Sequence, residues 1–311
     1  MSRGGPSLQI GILLSAYNGE QYLKEQLDSF LAQSYSHWVV LWRDDGSSDS
    51  TVRMLEEFGS LVGPGRCRRA GNSGEHLGVM ESFLSLLREA VEYPLLAFSD
   101  QDDVWLPGKL ANAVEFFLSR QSKGPALYCG RQIIVDKELR RLGYSFPVSS
   151  RMEFPSALVQ NIATGCTTVI NRAAADVISR IRPPRGSVHD WWAYIVVSAL
   201  GGEVYFDNTP GILYRQHGRN AIGASQSFVA RGLQALRRGS GPFVRTLAGH
   251  LEALHDARGD LPRGTADMVS AIRLALNGGA TRRVVVAMQT RMRRVTVWET
   301  AVMVMWLIRG A

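Results

Sequence analysis

The segment Leu95-Leu96-Ala97-Phe98-Ser99-Asp100-Gln101-Asp102-Asp103 sets three carboxylates at the end of an apolar run. Acids this close raise one another's pKa unless a cation lies between them. Hard carboxylate oxygens on a short loop are what Mg²⁺ or Mn²⁺ prefers, so Asp100-x-Asp102 reads as a divalent-metal site able to hold a diphosphate. The plainer reading is a solvated turn whose acids cap a helix ahead of Pro107. Two more polar clusters, Ser15-Ala16-Tyr17-Asn18 and Asp44-Asp45-Gly46, also follow apolar runs. Aspartate accepts hydrogen bonds from a base N–H or from ribose hydroxyls. There is no G-x-G-x-x-G after the first apolar run, and Gly108-Lys109 lacks the upstream glycine of a phosphate loop.

The elements that must position these clusters alternate. Residues 8–17, 38–43 and 95–99 read as strands, and 20–33, 50–58 and 75–91 as helices with apolar stripes, such as Tyr22, Leu23, Leu27, Phe30 and Leu31 in the first and Met80, Phe83, Leu84, Leu87 and Val91 in the third. Ser48 or Asp49 can cap the second helix. Alternation of this kind implies a single Rossmann-like, mostly parallel sheet flanked by helices, with ligands at the carboxyl ends of the strands. All three polar clusters then fall on one sheet edge. Residues 127–135, 167–170 and 211–213 read as further strands.

Composition bounds the rest. A chain of 311 residues with 45% hydrophobic content can build a large core. Cys67, Cys129 and Cys166 are scattered and odd in number, which points to a reducing compartment and to neither a disulfide framework nor a zinc site. The apolar stretch at residues 10–14 is too short for a signal-peptide core and reads as a strand. No stretch approaches the roughly 20 apolar residues of a membrane span. Residues 231–311 hold 13 Arg, no Lys and 5 acids, whereas residues 1–230 hold 22 basic and 23 acidic residues. An Arg-rich tail without a nucleic-acid-binding signature favours an anionic membrane surface over nucleic acid.

Five segments in order resemble the motifs of family 2 inverting glycosyltransferases, nearest to the bacterial rhamnosyltransferase-like group that makes cell-surface polysaccharide. They are Ser15-Ala16-Tyr17-Asn18-Gly19-Glu20, Arg43-Asp44-Asp45-Gly46-Ser47-Ser48-Asp49-Ser50-Thr51, Asp100-Gln101-Asp102-Asp103-Val104-Trp105-Leu106-Pro107, His189-Asp190-Trp191-Trp192 and Tyr214-Arg215-Gln216-His217-Gly218. The resemblance implies a glycosyltransferase-A fold over residues 1–224, divided into a nucleotide-binding half (1–125) and an acceptor half (126–224), followed by a basic helical region (225–311). It implies a nucleotide-sugar donor, with dTDP-rhamnose favoured and a UDP-sugar as the alternative, a glycan or lipid-linked acceptor, and Mn²⁺ or Mg²⁺. The implied setting is the cytoplasm, at the inner face of the cell membrane.

Carried over residue by residue, the resemblance puts Ser15, Tyr17, Asn18, Asp44 and Asp45 at the nucleoside. Asp100 falls at the ribose or metal, and Asp102 at the metal. Asp103 is a capping or supporting group. His217 is a ligand of the metal or diphosphate, unless it is an ordinary surface histidine. Arg215 or Arg219 would pair with phosphate. Asp190, opening an apolar helix after a proline-rich loop, is either a helix cap or the general base that deprotonates the acceptor. Trp191 and Trp192 would offer flat faces to acceptor sugars. One base opposite the leaving group implies inversion. Two rivals are a sugar-nucleotide nucleotidyltransferase, which would want a Gly-rich basic loop where Ser15-Ala16-Tyr17-Asn18 stands, and a non-catalytic carbohydrate-binding protein of the same fold. On the tail, Val295, Trp298, Val302, Met305 and Trp306 are expected on one side of a last helix, preceded by Arg282, Arg283, Arg291, Arg293 and Arg294.

Overall fold

The computed structural model describes residues 8–71, 73–120, 122–148, 153–217 and 239–310. Arg219 lies outside them. The first part is the expected alternation: β1 (Ile10–Ala16), α1 (Leu23–Leu31), β2 (Trp38–Asp44), α2 (Thr51–Val62), β3 (Cys67–Arg69), α3 (Val79–Glu89) and β4 (Leu95–Ser99). Strands β3, β2, β1 and β4 lie side by side in parallel. Helix α3 ends at Glu89, so Val91, expected on its apolar face, stands in solvent.

Both faces of this sheet are apolar because helices cover both. Along β1, Ile10, Ile12 and Leu14 pack with Phe30 of α1 and Phe58 of α2, while Leu13 packs on the opposite face with Phe83 of α3. This is the two-residue period of a strand read as two cores. Each such side chain contributes about 1.5–3 kcal/mol on burial.

The second part makes the sheet mixed. It runs β5 (Val104–Trp105), α4 (Lys109–Arg120), β6 (Ala126–Val135), β7 (Arg141–Tyr144), β8 (Val169–Asn171), α5 (Arg172–Arg180), α6 (His189–Ala199) and β9 (Glu203–Arg215). The strand order is β3-β2-β1-β4-β8-β6-β9-β5, with β7 on β6. Short β8 is antiparallel to both β4 and β6, so the parallel half hands over to a mixed half. Strand β9 pairs antiparallel with β5, Val104 opposite Leu213. That pairing returns Arg215 and the residues after it to the loop at the end of β4.

Among the described residues four helices follow: α7 (Ser240–Asp256), α8 (Arg263–Leu276), α9 (Ala280–Gln289) and α10 (Val297–Arg309). Leu247, Leu251 and Leu254 of α7, with Met303 and Leu307 of α10, belong to the same apolar cluster as Trp192 and Tyr194 of α6. Arg294 Nε donates to the Val159 carbonyl (2.8 Å), and the Val295 N–H donates to Gln160 Oε1 (2.7 Å). The inward face of α10 is Val302, Met303, Trp306 and Leu307. The expected grouping is therefore corrected: Trp298 lies on the outward side, and Met303 and Leu307 take the inward positions. No helix among the described residues is long and apolar enough to cross a membrane.

Candidate active site

At the end of β4, burial and the charges of Asp102, Asp103 and Asp190 together push the Asp100 carboxyl well above its usual range. Asp190 comes from the first turn of α6, so the acids of the β4 loop and of α6 share one field. Asp102 Oδ2 lies 2.8 Å from His217 Nε2, and the His217 ring stacks on Tyr22 at 4.8 Å. The donor set is hard oxygen plus imidazole, and among the described residues only acids act on Asp100, so its charged form calls for a cation. Both fit a Mg²⁺ or Mn²⁺ ion. Among the described residues, the group of three ligand-type side chains within 4.8 Å of one another is Asp100, Asp103 and Cys166 rather than Asp100, Asp102 and His217. Cys166 suits neither ion, because burial first and the neighbouring acids next push its thiol well up, and sulfur is a soft donor. Asp103 is buried behind the loop and accepts the Arg215 N–H (3.1 Å); burial first, then Asp102, raise its carboxyl to about 7. That is the supporting role open to it.

Arg215 is corrected from phosphate ligand to scaffold. Its Nε donates to the Asp102 carbonyl (2.9 Å), Nη1 to the Lys137 carbonyl (2.6 Å) and Nη2 to Glu25, while its guanidinium lies over Tyr22. One arm of the guanidinium holds the Asp102 loop, and the other two tie it to Lys137 and Glu25. Asp44 is likewise corrected: Oδ2 accepts the N–H groups of Gly46 and Ser47 (3.0 Å each) and Oδ1 the Ser47 hydroxyl, so it fixes the turn after β2.

Asp45 is buried and its oxygens are engaged. Oδ1 accepts from Arg43 Nη1 (2.6 Å), the Leu77 N–H (2.7 Å) and the Ser82 hydroxyl (3.2 Å); Oδ2 accepts the Gly78 N–H (2.9 Å) and faces His76 Nδ1 (3.0 Å). Although burial, the largest influence, works upward, these bonds and the Arg43 charge bring its carboxyl below the usual range. Instead of lying open to a base, Asp45 anchors the segment that carries His76. The His76 ring lies 5.3 Å from the exposed Tyr17 ring, and these two aromatic groups form the outer wall at this end. Ser15, one residue before the end of β1, lies opposite Arg43. Asn18 takes the left-handed conformation (φ 47°), which a short polar side chain tolerates. It braces the turn after β2: its N–H donates to Ser47 Oγ (2.8 Å) and its Oδ1 accepts the Ser48 N–H (2.9 Å).

Asp190 sits in the first turn of α6 and is buried. Gly165 N–H donates to Oδ2 (2.9 Å) and Trp191 N–H to Oδ1 (2.6 Å). Burial raises its carboxyl to about 6, against the opposing pull of those N–H groups and the Asn161 side chain. A Cβ on Gly165 would lie 2.5 Å from His189 Nε2, so only glycine allows this approach. Trp192 is corrected from acceptor platform to core: it is fully buried, with Nε1 donating to the Ile181 carbonyl (3.2 Å). Trp191 is half-buried, and its Nε1 donates to the Ala157 carbonyl (2.7 Å).

Acids in the loop after β4, and a raised carboxyl at the start of α6 whose charge reaches Asp100, are an arrangement for group transfer from a diphosphate. Residues 12–179, more than half of the chain, match the family model described as glycosyl transferase family 2. The chain belongs to that family. It is similar to dTDP-rhamnosyl transferase RfbG of Shigella flexneri, at 28% identity over 70% of this chain and 76% of the relative. It is also similar to the UDP-Glc:alpha-D-GlcNAc-diphosphoundecaprenol beta-1,3-glucosyltransferase WfgD of Escherichia coli, at 26% identity over 52% of this chain and 59% of the relative. Among solved structures, S. aureus TarS 1-349 in complex with UDP-GlcNAc superposes with a TM-score of 0.60, at 16% identity, over 91% of this chain and 80% of that one. That likeness shows the glycosyltransferase-A fold.

Several supporting residues escaped the sequence reading. Gln101 Nε2 donates to the Tyr17 carbonyl (2.9 Å) and its Oε1 accepts the Tyr17 N–H (2.8 Å), joining the loops after β1 and β4. Arg43, two residues before Asp45 and so on the same face of the chain, was a readable signal of their ion pair. His76 and His250 stand in no motif. His250, on α7, is buried; its Nε2 lies 3.0 Å from Ser187 Oγ, its ring is edge-on to Trp191 (4.9 Å) and parallel to Trp192 (6.0 Å), and burial lowers its pKa to about 4.

Proposed function

We propose that this glycosyltransferase is metal-dependent and inverting, and moves a sugar, rhamnose favoured, from a nucleoside-diphosphate donor to a hydroxyl of a saccharide or lipid-linked acceptor in cell-surface polysaccharide synthesis. The reading is supported by the acidic loop after β4, where Asp102 Oδ2 lies 2.8 Å from His217 Nε2, together with Asp190 at the start of α6, whose charge reaches Asp100. Bound by Asp100, Asp102 and His217, Mn²⁺ or Mg²⁺ would neutralise charge on the departing diphosphate. The nucleoside rests against Ser15, Tyr17 and His76, with Asn18 and Asp45 fixing the wall behind. Asp190 takes the acceptor hydroxyl proton as that oxygen bonds to the anomeric carbon and the carbon–oxygen bond to the diphosphate breaks. One displacement from the opposite face inverts the centre. Trp191 is the aromatic group left to meet the acceptor. The rhamnosyl relative supports dTDP-rhamnose as donor, and the glucosyl relative keeps a UDP-sugar as the alternative. The reaction belongs on the cytoplasmic side of the membrane, where nucleotide sugars are made.

The test is turnover of dTDP-rhamnose with Mn²⁺. Slow release of dTDP is expected without acceptor, and Asp190→Asn should bind donor normally while transfer falls about 100- to 10,000-fold. Asp102→Asn should lose the Mn²⁺-dependent thermal stabilisation by donor. Transfer by Asp190→Asn at the wild-type rate would remove the base assignment, and pyrophosphate-dependent release of dTTP would replace the whole reading with nucleotidyl transfer.

A further inference from the structure

The outward side of α10 has the composition of a core. Helical spacing sets Val297, Trp298, Ala301, Met305 and Ile308 together, opposite the buried Val302, Met303, Trp306 and Leu307. Val297 is 89% exposed, Trp298 57% and Ile308 52%. Within the described structure only Arg309, at the far end, adds charge to that side. A helix apolar on two sides is ordinarily covered on both, and among the described residues this side stays in solvent. Its 13 residues fall short of the roughly 20 needed to cross a bilayer, but suit a helix lying in the interface.

Charge decides what covers it. Residues 277–310 hold six arginines and a single acid, Glu299, whose Oε2 accepts from Gln160 Nε2 (3.3 Å) and Thr296 Oγ1 (3.1 Å). Residues 239–276 hold four arginines and four acids. The excess positive charge of the described helices therefore lies on the segment with the unpartnered apolar side, with Arg282, Arg291, Arg293 and Arg309 exposed. A second copy of this face would set like charge against like. Nucleic acid would meet the arginines but gains nothing from Val297, Met305 and Ile308. An anionic bilayer satisfies both, with phosphates for the arginines, hydrocarbon for the aliphatic groups and the headgroup boundary for tryptophan.

We propose that the outward side of α10, led by Val297, Trp298 and Ile308 and flanked by Arg291, Arg293 and Arg309, seats this protein on an anionic lipid surface. The surface stands on its own residues, and its failure would leave the transfer reading intact. The experiment is sedimentation of the full chain with vesicles of phosphatidylcholine alone or mixed with phosphatidylglycerol. Binding is expected to the mixed vesicles only and to weaken with salt. The exposed pair Trp298→Glu with Ile308→Glu should lower binding at least about tenfold, with melting temperature and dTDP release unchanged. Equal sedimentation with both vesicle types, or binding indifferent to the double variant, would overturn the proposal. So would self-association abolished by that variant, which would give the face to a second copy, or displacement of vesicles by RNA.

Discussion

Asp190 is held between two opposing influences, and their balance sets where it works. Burial raises its carboxyl to about 6, while the N–H groups of Trp191 and Gly165 and the Asn161 side chain favour the charged form. A base acts only when deprotonated, so kcat should rise as pH passes upward through about 6 and level off above it. A pH–rate profile at saturating substrates checks this, and a limb falling with rising pH in that window would contradict it. Asp190 and Asp102 were conspicuous in the sequence as an acid at a helix start and an acid after an apolar run, and the roles given to them are proposals. Asp45 and Arg215 are engaged by partners 32 and 190 positions away, which no local pattern displays, whereas Asp44 is engaged within its own turn. Trp192 was misread because an aromatic beside an active-site acid looks the same whether it faces a cleft or a core.

Two elements act on the site without entering it. Strand β9 delivers Arg215, whose planar fork grips the Asp102 loop, and lysine cannot reproduce three such bonds. Arg215→Lys should weaken Mn²⁺ binding about 10- to 100-fold with little change in the pH profile, as titration calorimetry would show. Helix α7 delivers His250 to Ser187 and to the ring of Trp191, just where the chain enters α6. His250→Ala should lower kcat about tenfold or more through displacement of Asp190, with donor KM unchanged; an unaltered kcat would reduce His250 to filler. The alternating strands and helices of residues 8–120 were legible from periodicity. The antiparallel insertion of β8 was not, since a strand of 3 residues carries no period and its direction is set by its neighbours.

At the scale of the whole molecule, the boundary expected near residue 224, outside the described residues, is proposed to divide roles rather than stability. The apolar cluster beneath the sheet continues through Trp192 and Tyr194 into Leu251 and Met303, so the two regions are proposed to unfold together. Calorimetry should give one transition, and a chain ending at residue 238 should aggregate, because it leaves that cluster open to water. Two separated transitions would restore independent domains. The Gln101 side chain bears on the same question from within the cleft. By holding Tyr17 through both N–H and carbonyl, it makes the aromatic wall and the acidic loop a single rigid lever. On the proposed reading, any coupling between nucleobase and cation through this bridge is equal in both directions, and a shorter side chain at that one position should shrink it.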